Sequence, residues 1–222
     1  MCIRDRHSPF EKLQVHLRQE RLLPRTIDNY TLSRIFSAAY SDLRESQSNN
    51  HYFVSMRDVA VLELLFATGV RVSELCSITC ENLNLQNQVV LIKGKGSKER
   101  CIYISSPPVI SALASYSALR TTIDSPDPYF FLNRDKHRLS EQSVRRIICR
   151  YTPTDAAHYT PHMFRHSFAT YLWEQCGNIY EVKEILGHSS VKTTERYVHA
   201  SFEQQKRILT TMHPRNTLKI EF

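Results

Sequence analysis

No stretch of this sequence stays apolar for the ~18 residues that a bilayer-spanning helix needs, and mean hydropathy is -0.38, which excludes a helical membrane span. The opening residues, Met1 to Arg6, are polar and lack the apolar core of a secretion signal. They match nothing that follows and read as an expression remnant or assembly scar. The six cysteines (Cys2, Cys76, Cys80, Cys101, Cys149 and Cys176) form no CxxC pair, and Cys76/Cys80 has no second pair to match it. That spacing argues against a zinc ribbon, and a chain of this size without an export signal does not fit a disulfide framework. The cysteines read as small, buried or half-buried hydrophobes in a reducing cytosol, and the cytoplasm is the expected compartment. There is no internal repeat. Acid is short relative to base: 22 Asp and Glu stand against 29 Lys and Arg, a net charge of +7. An excess of that sign points to a polyanionic partner.

What is present is ordinary globular material. Hydrophobic residues make up 41% of the 222 and charged residues 23%, enough for one large domain or two small ones around a real core. Residues 1–22 are polar, charge-mixed and punctuated by Pro9 and then Pro24, and read as a tail or linker. Helical patterning begins after Pro24 with Ile27, Tyr30 and Ile35. The strongest apolar segment, Met56 to Ala67, ends at Gly69, a helix-stop signal, and the pattern restarts at residues 70–75. Val89 to Ile92 and Cys101 to Ile104 are β-branched runs around KGKGSKER, whose Gly94 and Gly96 permit a tight hairpin. Pro107-Pro108 opens a helix to about Leu119, and Tyr129 to Leu132 reads as a short strand or a buried turn. Ser140 caps a helix to Tyr151, and Thr160-Pro161 opens one running to about Gln175. A short helix ends at Leu186-Gly187, and Ser189 or Ser190 caps another carrying Tyr197. The expected fold is mainly α with a small antiparallel β-hairpin.

Chemistry concentrates in a few places. On a helix through HMFRH, Phe164, Phe168, Tyr171 and Leu172 share one arc, and His162 and Arg165 lie together on its flank. A charged arginine at the edge of a core needs an anion or a carboxylate. Two readings stand side by side: a structural Arg–Glu pair with a satisfied histidine, or an anion site. Metal binding through His162 and His166, with His158 nearby, lacks an acidic third ligand or an HExxH glutamate. Arg71 stands just past Gly69 at a helix junction, where arginine serves packing poorly. Lys95 sits at a glycine-flanked hairpin tip among Lys93, Lys98 and Arg100, against the single Glu99. His188 follows a helix-ending glycine, and Tyr197 lies nine residues further on.

In order, TGVRVSEL, KGKGSKER, HMFRHSFAT and LGHSSVKTTERYVH resemble the motifs of the tyrosine recombinase (phage integrase) family, closest to its Xer-like branch, over about residues 23–213. The resemblance implies a catalytic set of Arg71, Lys95, His162, Arg165, His188 and Tyr197, with no catalytic position substituted. It implies that Tyr197 attacks a DNA phosphodiester and forms a 3′-phosphotyrosine. Arg71 and Arg165 would clamp the phosphate, and Lys95 would protonate the leaving 5′-oxygen. His162 would serve as base or proton relay, and His188 as a further phosphate donor. No metal or other cofactor is expected. Lys93, Lys98, Arg100, Arg145 and Arg146 are the expected DNA-binding residues.

The domain expectation is a tail at 1–22, a catalytic domain at 23–213 and a C-terminal tail at 214–222. Family members carry a helical core-binding domain ahead of the catalytic one, and this chain begins at what reads as the linker, as a fragment or a minimal recombinase. Phe202, Leu209 and Met212 recur at helical spacing with Ile208 beside them. Periodicity alone favours packing of that stripe on its own domain. The resemblance implies docking of residues 202–212 on a neighbour, giving a monomer in free solution and a homo-tetramer on paired double-stranded DNA sites. Two other classes remain open: a DNA-binding module that only keeps the fold, and a metal-dependent nuclease. Retention of Tyr197 and Lys95 argues against the first. Basic rather than acidic motifs argue against the second.

Overall fold

The computed structural model describes residues 26–94, 99–176, 179–187, 206 and 209–218. Residues 1–22, Lys95, Lys98, His188, the capped helix expected to carry Tyr197, Phe202, Ile208 and residues 219–222 lie outside them. Helix α1 (Asn29–Arg44) begins where Asp28 accepts a hydrogen bond from the backbone N–H of Thr31 at 2.8 Å. Its buried Leu32, Ile35, Phe36 and Ala39 follow the spacing of one helix face.

Helix α2 (Asn49–Thr68) is capped by Ser48, which accepts from His51 N–H at 3.2 Å, and it ends at Gly69 in the left-handed conformation. Fifteen of its twenty residues are buried, because α1, α4, α5 and α6 all pack on it. Burying Asp58 and Glu63 in such a helix requires compensating donors. Asp58 receives Arg57 Nε at 2.9 Å and Arg150 Nη1 at 2.9 Å, and the Tyr151 hydroxyl lies between Asp58 and Asp42. Glu63 receives Arg215 Nε and Nη2, each at 2.9 Å, and the Tyr40 hydroxyl at 2.8 Å.

After the five-residue α3 (Val72–Cys76), three antiparallel strands stand in the order β1 (Leu83–Asn84), β2 (Val89–Lys93) and β3 (Glu99–Tyr103). The β2–β3 register runs from Val89 opposite Tyr103 to Lys93 opposite Glu99, as the glycine-flanked hairpin requires. Helix α4 (Pro107–Thr121) starts with its two prolines in the first turn, where their missing N–H groups have no intrahelical partner to lose. Tyr129 to Leu132 is not a strand. It is a buried extended segment stitched to residues 78–80 by Phe130 N–H to Ile78 C=O at 2.8 Å and Cys80 N–H to Pro128 C=O at 3.0 Å. Phe130 and Phe131 pack with Tyr116 of α4, with ring centroids 4.9–5.6 Å apart. Helix α5 (Glu141–Tyr151), capped by Ser140, then α6 (Pro161–Cys176) and α7 (Ile179–Ile185) complete the helices named here.

The chain end differs from the expected tail. Pro214–Thr217 forms a 3-10 turn whose Arg215 is buried on Glu63. His213 is buried too, with Nε2 donating to Ala67 C=O at 2.7 Å and Nδ1 accepting Arg215 N–H at 2.9 Å. A buried carboxylate inside α2 needs this arginine, so the segment is core rather than tail. From the apolar stripe, Leu209 is buried in its own domain, its carbonyl bonded by Ser105 Oγ, while Met212 is exposed. No described helix is long and apolar enough to cross a membrane.

Candidate active site

The site is built on the end of α2. Gly69 has φ +58, and a Cβ there would stand 2.5 Å from Phe168 Cδ1 and 2.9 Å from Leu186 Cδ2. Only bare backbone lets α6 and the end of α7 come this close. That approach sets Arg165, one turn before Phe168, against two helix-end carbonyls: Nη1 donates to Gly69 at 2.5 Å and Nη2 to Leu186 at 2.7 Å. Among the described residues Arg165 is therefore fixed by backbone and not by a carboxylate, which argues against the structural Arg–Glu reading. Burial pulls its pKa down to about 10, and the neighbouring positive charges of Arg71 and Arg100 pull the same way against Glu74. It stays charged at neutral pH.

Two residues past Gly69, Arg71 caps α3. Its N–H donates to Glu74 Oε2 at 2.9 Å and its Nη1 to Oε1 at 3.0 Å, while the side chain keeps 42% of its surface exposed. Arg100 grips the same carboxylate as a fork, Nη1 to Oε1 at 3.0 Å and Nη2 to Oε2 at 2.8 Å. Burial would raise the Glu74 pKa, but the hydrogen bonds from Arg100 and Arg71 outweigh it and hold the carboxyl at about 2. Two guanidinium groups thus hold one carboxylate and a third, Arg165, feels its charge, leaving an excess of two positive charges where an anion can reach Arg71.

His162 lies in the first turn of α6, exposed, three residues before Arg165. His166 sits one turn on, and its pKa is lowered by partial burial first, then by His162 and Arg165. Among the described residues no three of His, Cys, Asp and Glu gather around a point that could hold a metal. Arg71, His162 and Arg165 thus belong to one end of the core. Lys93, Arg145 and Arg146 are exposed, with Lys93 3.9 Å from Glu99 and Arg145 3.4 Å from Glu141. Arg100 departs from its expected place on the DNA surface, because its fork is turned inward onto Glu74. The signal was the strand alternation: Arg100, Ile102 and Ile104 share the inward face, and Arg100 pairs with buried Ile92. Glu74 was also overlooked, although R-x-x-E places a carboxylate at the third helical position, where it can bond the cap N–H.

The profile of the Phage integrase family matches residues 39–204. A tyrosine recombinase of Agathobacter rectalis is 40% identical over 94% of this chain and 69% of its own length. Tyrosine recombinase XerC of Actinobacillus pleuropneumoniae is 33% identical over 87% of this chain and 60% of its own. The crystal structure of XerA recombinase superposes with a TM-score of 0.65 at 27% identity, covering 85% of this chain and 66% of that one. XerH bound to its difH substrate gives 0.61 at 26%, covering 85% and 50%. The chain thus spans half to about two thirds of these proteins. A family profile over most of the chain, relatives at this identity and a shared helical fold lead to one assignment: the chain belongs to the phage integrase family of tyrosine recombinases, in its Xer-like branch.

Proposed function

We propose that this chain is the catalytic part of a site-specific DNA recombinase that cuts and rejoins strands through a 3′-phosphotyrosine. The observation that carries the reading is the convergence of Arg71, capping α3, and Arg165 of α6 on a net positive cluster, with His162 three residues before Arg165 on the same helix. A phosphodiester under attack gains negative charge on its non-bridging oxygens, and fixed guanidinium donors suit that change. In the scheme, the Tyr197 oxygen forms the bond to phosphorus as the bond to the 5′-oxygen breaks. Tyr197 gives its proton to His162, and the leaving oxygen takes one from Lys95. His188 adds a donor to the phosphate. The roles of Lys95, His188 and Tyr197 rest on the motifs that carry them. Rejoining is the reverse, with a 5′-hydroxyl as nucleophile. The phosphotyrosine conserves the ester bond, so no nucleotide enters the balance. Lys93, Lys98, Arg145 and Arg146 are the proposed contacts to the duplex, and the cytoplasm the proposed compartment.

The test uses a pool of nicked duplexes of randomised sequence in EDTA, with covalent protein–DNA adducts trapped by detergent. Wild type forms adducts and Tyr197→Phe binds DNA without forming them. Adducts that persist in Tyr197→Phe would remove Tyr197 as nucleophile. Wild type that binds DNA yet yields no adduct would leave a binding module.

Assembly is proposed as a monomer in solution and a tetramer on paired sites through residues 202–212. In the free chain Leu209 is buried at home, and Lys206 stands 5.2 Å from the Tyr103 ring, so docking on a neighbour means release of these contacts. Light scattering on Met212→Glu, which changes an exposed residue of the segment and keeps His213 and Arg215 in the core, checks this: tetramers that still form on DNA would show that the segment does not act between protomers.

A further inference from the structure

Arg100 holds a position that phosphate chemistry alone does not explain. It lies on β3, 26 residues from Glu74, yet spends both terminal nitrogens on that carboxylate. Its stem and Nε lie against Gly187, where a Cβ would come within 2.9 Å of Arg100 Cδ and Nε. Gly187 has φ +64, so both its backbone and its neighbour demand glycine at the residue before His188. The Arg100 Nε has no acceptor among the described residues. Arg100 therefore ties together three pieces of chain: the hairpin strand that follows Lys95, the helix that Arg71 opens, and the end of α7.

Charge gives this arrangement its function. A carboxylate bonded to Arg71 competes with any phosphate for the same guanidinium. While Arg100 neutralises Glu74, Arg71 is oriented by the carboxylate without being cancelled by it, and the cluster of Arg71, Arg100, Arg165 and Glu74 keeps an excess of two positive charges. Remove Arg100 and the excess falls to one, with Glu74 turned wholly onto Arg71. We propose that Arg100 is a positioning residue for the phosphate clamp, acting through Glu74 to keep Arg71 available to an anion. The proposal rests on the strand-transfer reading for its biological meaning, but its test separates the two.

Adduct formation on the nicked-duplex pool is measured for wild type, Arg100→Ala, Arg100→Lys, Glu74→Gln and the double variant Arg100→Ala/Glu74→Gln. Thermal unfolding identifies any variant that fails to fold. Arg100→Ala slows adduct formation on the order of 10²-fold. Arg100→Lys, which keeps the charge but not the fork, loses less. The distinguishing result is the double variant: a neutral glutamine no longer cancels the charge of Arg71, the excess of two charges returns, and roughly 10-fold of the loss is recovered. A merely structural Arg100 would show no such recovery. Tungstate, a phosphate-like anion, is titrated in parallel against the arginine side-chain N–H signals in NMR. Its binding should weaken in Arg100→Ala and return in the double variant, independently of any chemistry. Arg100→Ala that reacts and binds tungstate like wild type overturns the proposal, as does a double variant that recovers neither. If wild type forms no adduct while tungstate binding follows the expected pattern, the strand-transfer reading fails and the role of Arg100 stands.

Discussion

Glu63 and Glu74 are both nearly or fully buried, and both accept from arginine forks, but the charges around them are arranged differently. Glu63 faces one arginine, Arg215, itself 3% exposed, and a tyrosine hydroxyl; the charges cancel and water is shut out. Glu74 faces Arg71 and Arg100, with Arg165 close enough to feel both, and Arg71 stays 42% exposed. Asp58 shares the balance of charge but not the closure, since Arg57 and Arg150 are set against Asp58 and Asp42 across Tyr151 while Arg150 stays 52% exposed. A closed, balanced pair holds elements together. An open cluster with surplus charge, built on the same chemistry, holds a place for something else.

The sharpest way to break the comparison is to remove one arginine from each cluster. Arg215→Ala leaves Glu63 buried without its countercharge and should lower stability by about 3–5 kcal/mol in denaturant melts. Cleavage per folded molecule should not change. Arg71→Ala should do the reverse, with adduct formation falling on the order of 10²–10³-fold and the melt little moved. Arg165→Ala should lose both, because the Gly69 and Leu186 carbonyls lose their donor. If Arg71→Ala unfolds the chain as Arg215→Ala does, the distinction collapses.

Acid should separate the two regions next. Burial pushes the His213 pKa down to about 4 from its usual 6.5, against the Ala67 carbonyl that favours the proton and with Arg215 adding to the depression. The unfolded chain therefore takes the proton first, and stability is lost as pH falls from about 6.5 towards 4, by about 3 kcal/mol in all. Glu74, held at about 2 against 4.5 in the open chain, gives up its contribution as pH falls from about 4.5 towards 2, later than His213. Melts at pH 7.5 and 5.5 should differ in wild type and differ less in His213→Gln. An unchanged difference would place the titrating group elsewhere.

The smallest effects belong to the surface. Lys93→Ala, Arg145→Ala and Arg146→Ala should each lower the slope of log affinity against log salt by about 1 on plasmid DNA. Arg100→Ala should also lower the slope, through the loss of Arg71 to Glu74, and Arg100→Ala/Glu74→Gln should restore it. A drop that the double variant does not restore would return Arg100 to the DNA surface.

The residues that sequence reading found share local signals. The helix phase through HMFRH located His162 and Arg165 on one flank, and the glycine before Arg71 marked a junction that packing alone would not choose. Strand runs and flanking glycines located the hairpin. The missed features pair residues far apart in the chain: Glu74 with Arg100, and Glu63 with Arg215, 152 residues on. Glu63 sits inside an apolar run, so nothing local announces a charged partner. In KGKGSKER the count of basic residues is plain, but which of them turns inward depends on strand alternation and on a carboxylate from another element.

The burial of α2 has a consequence for motion. A helix buried over fifteen of its twenty residues and capped at both ends opens only when the whole domain does. Amide hydrogens from Val59 to Leu65 should therefore exchange with deuterium last and report the global unfolding free energy. The five residues of α3, capped by Arg71 and holding Glu74 at the third position, have far less structure to break and should exchange through smaller openings. Deuterium uptake at α3 in the presence of tungstate would then show whether an anion on the arginines closes that end of the molecule while α2 stays unmoved.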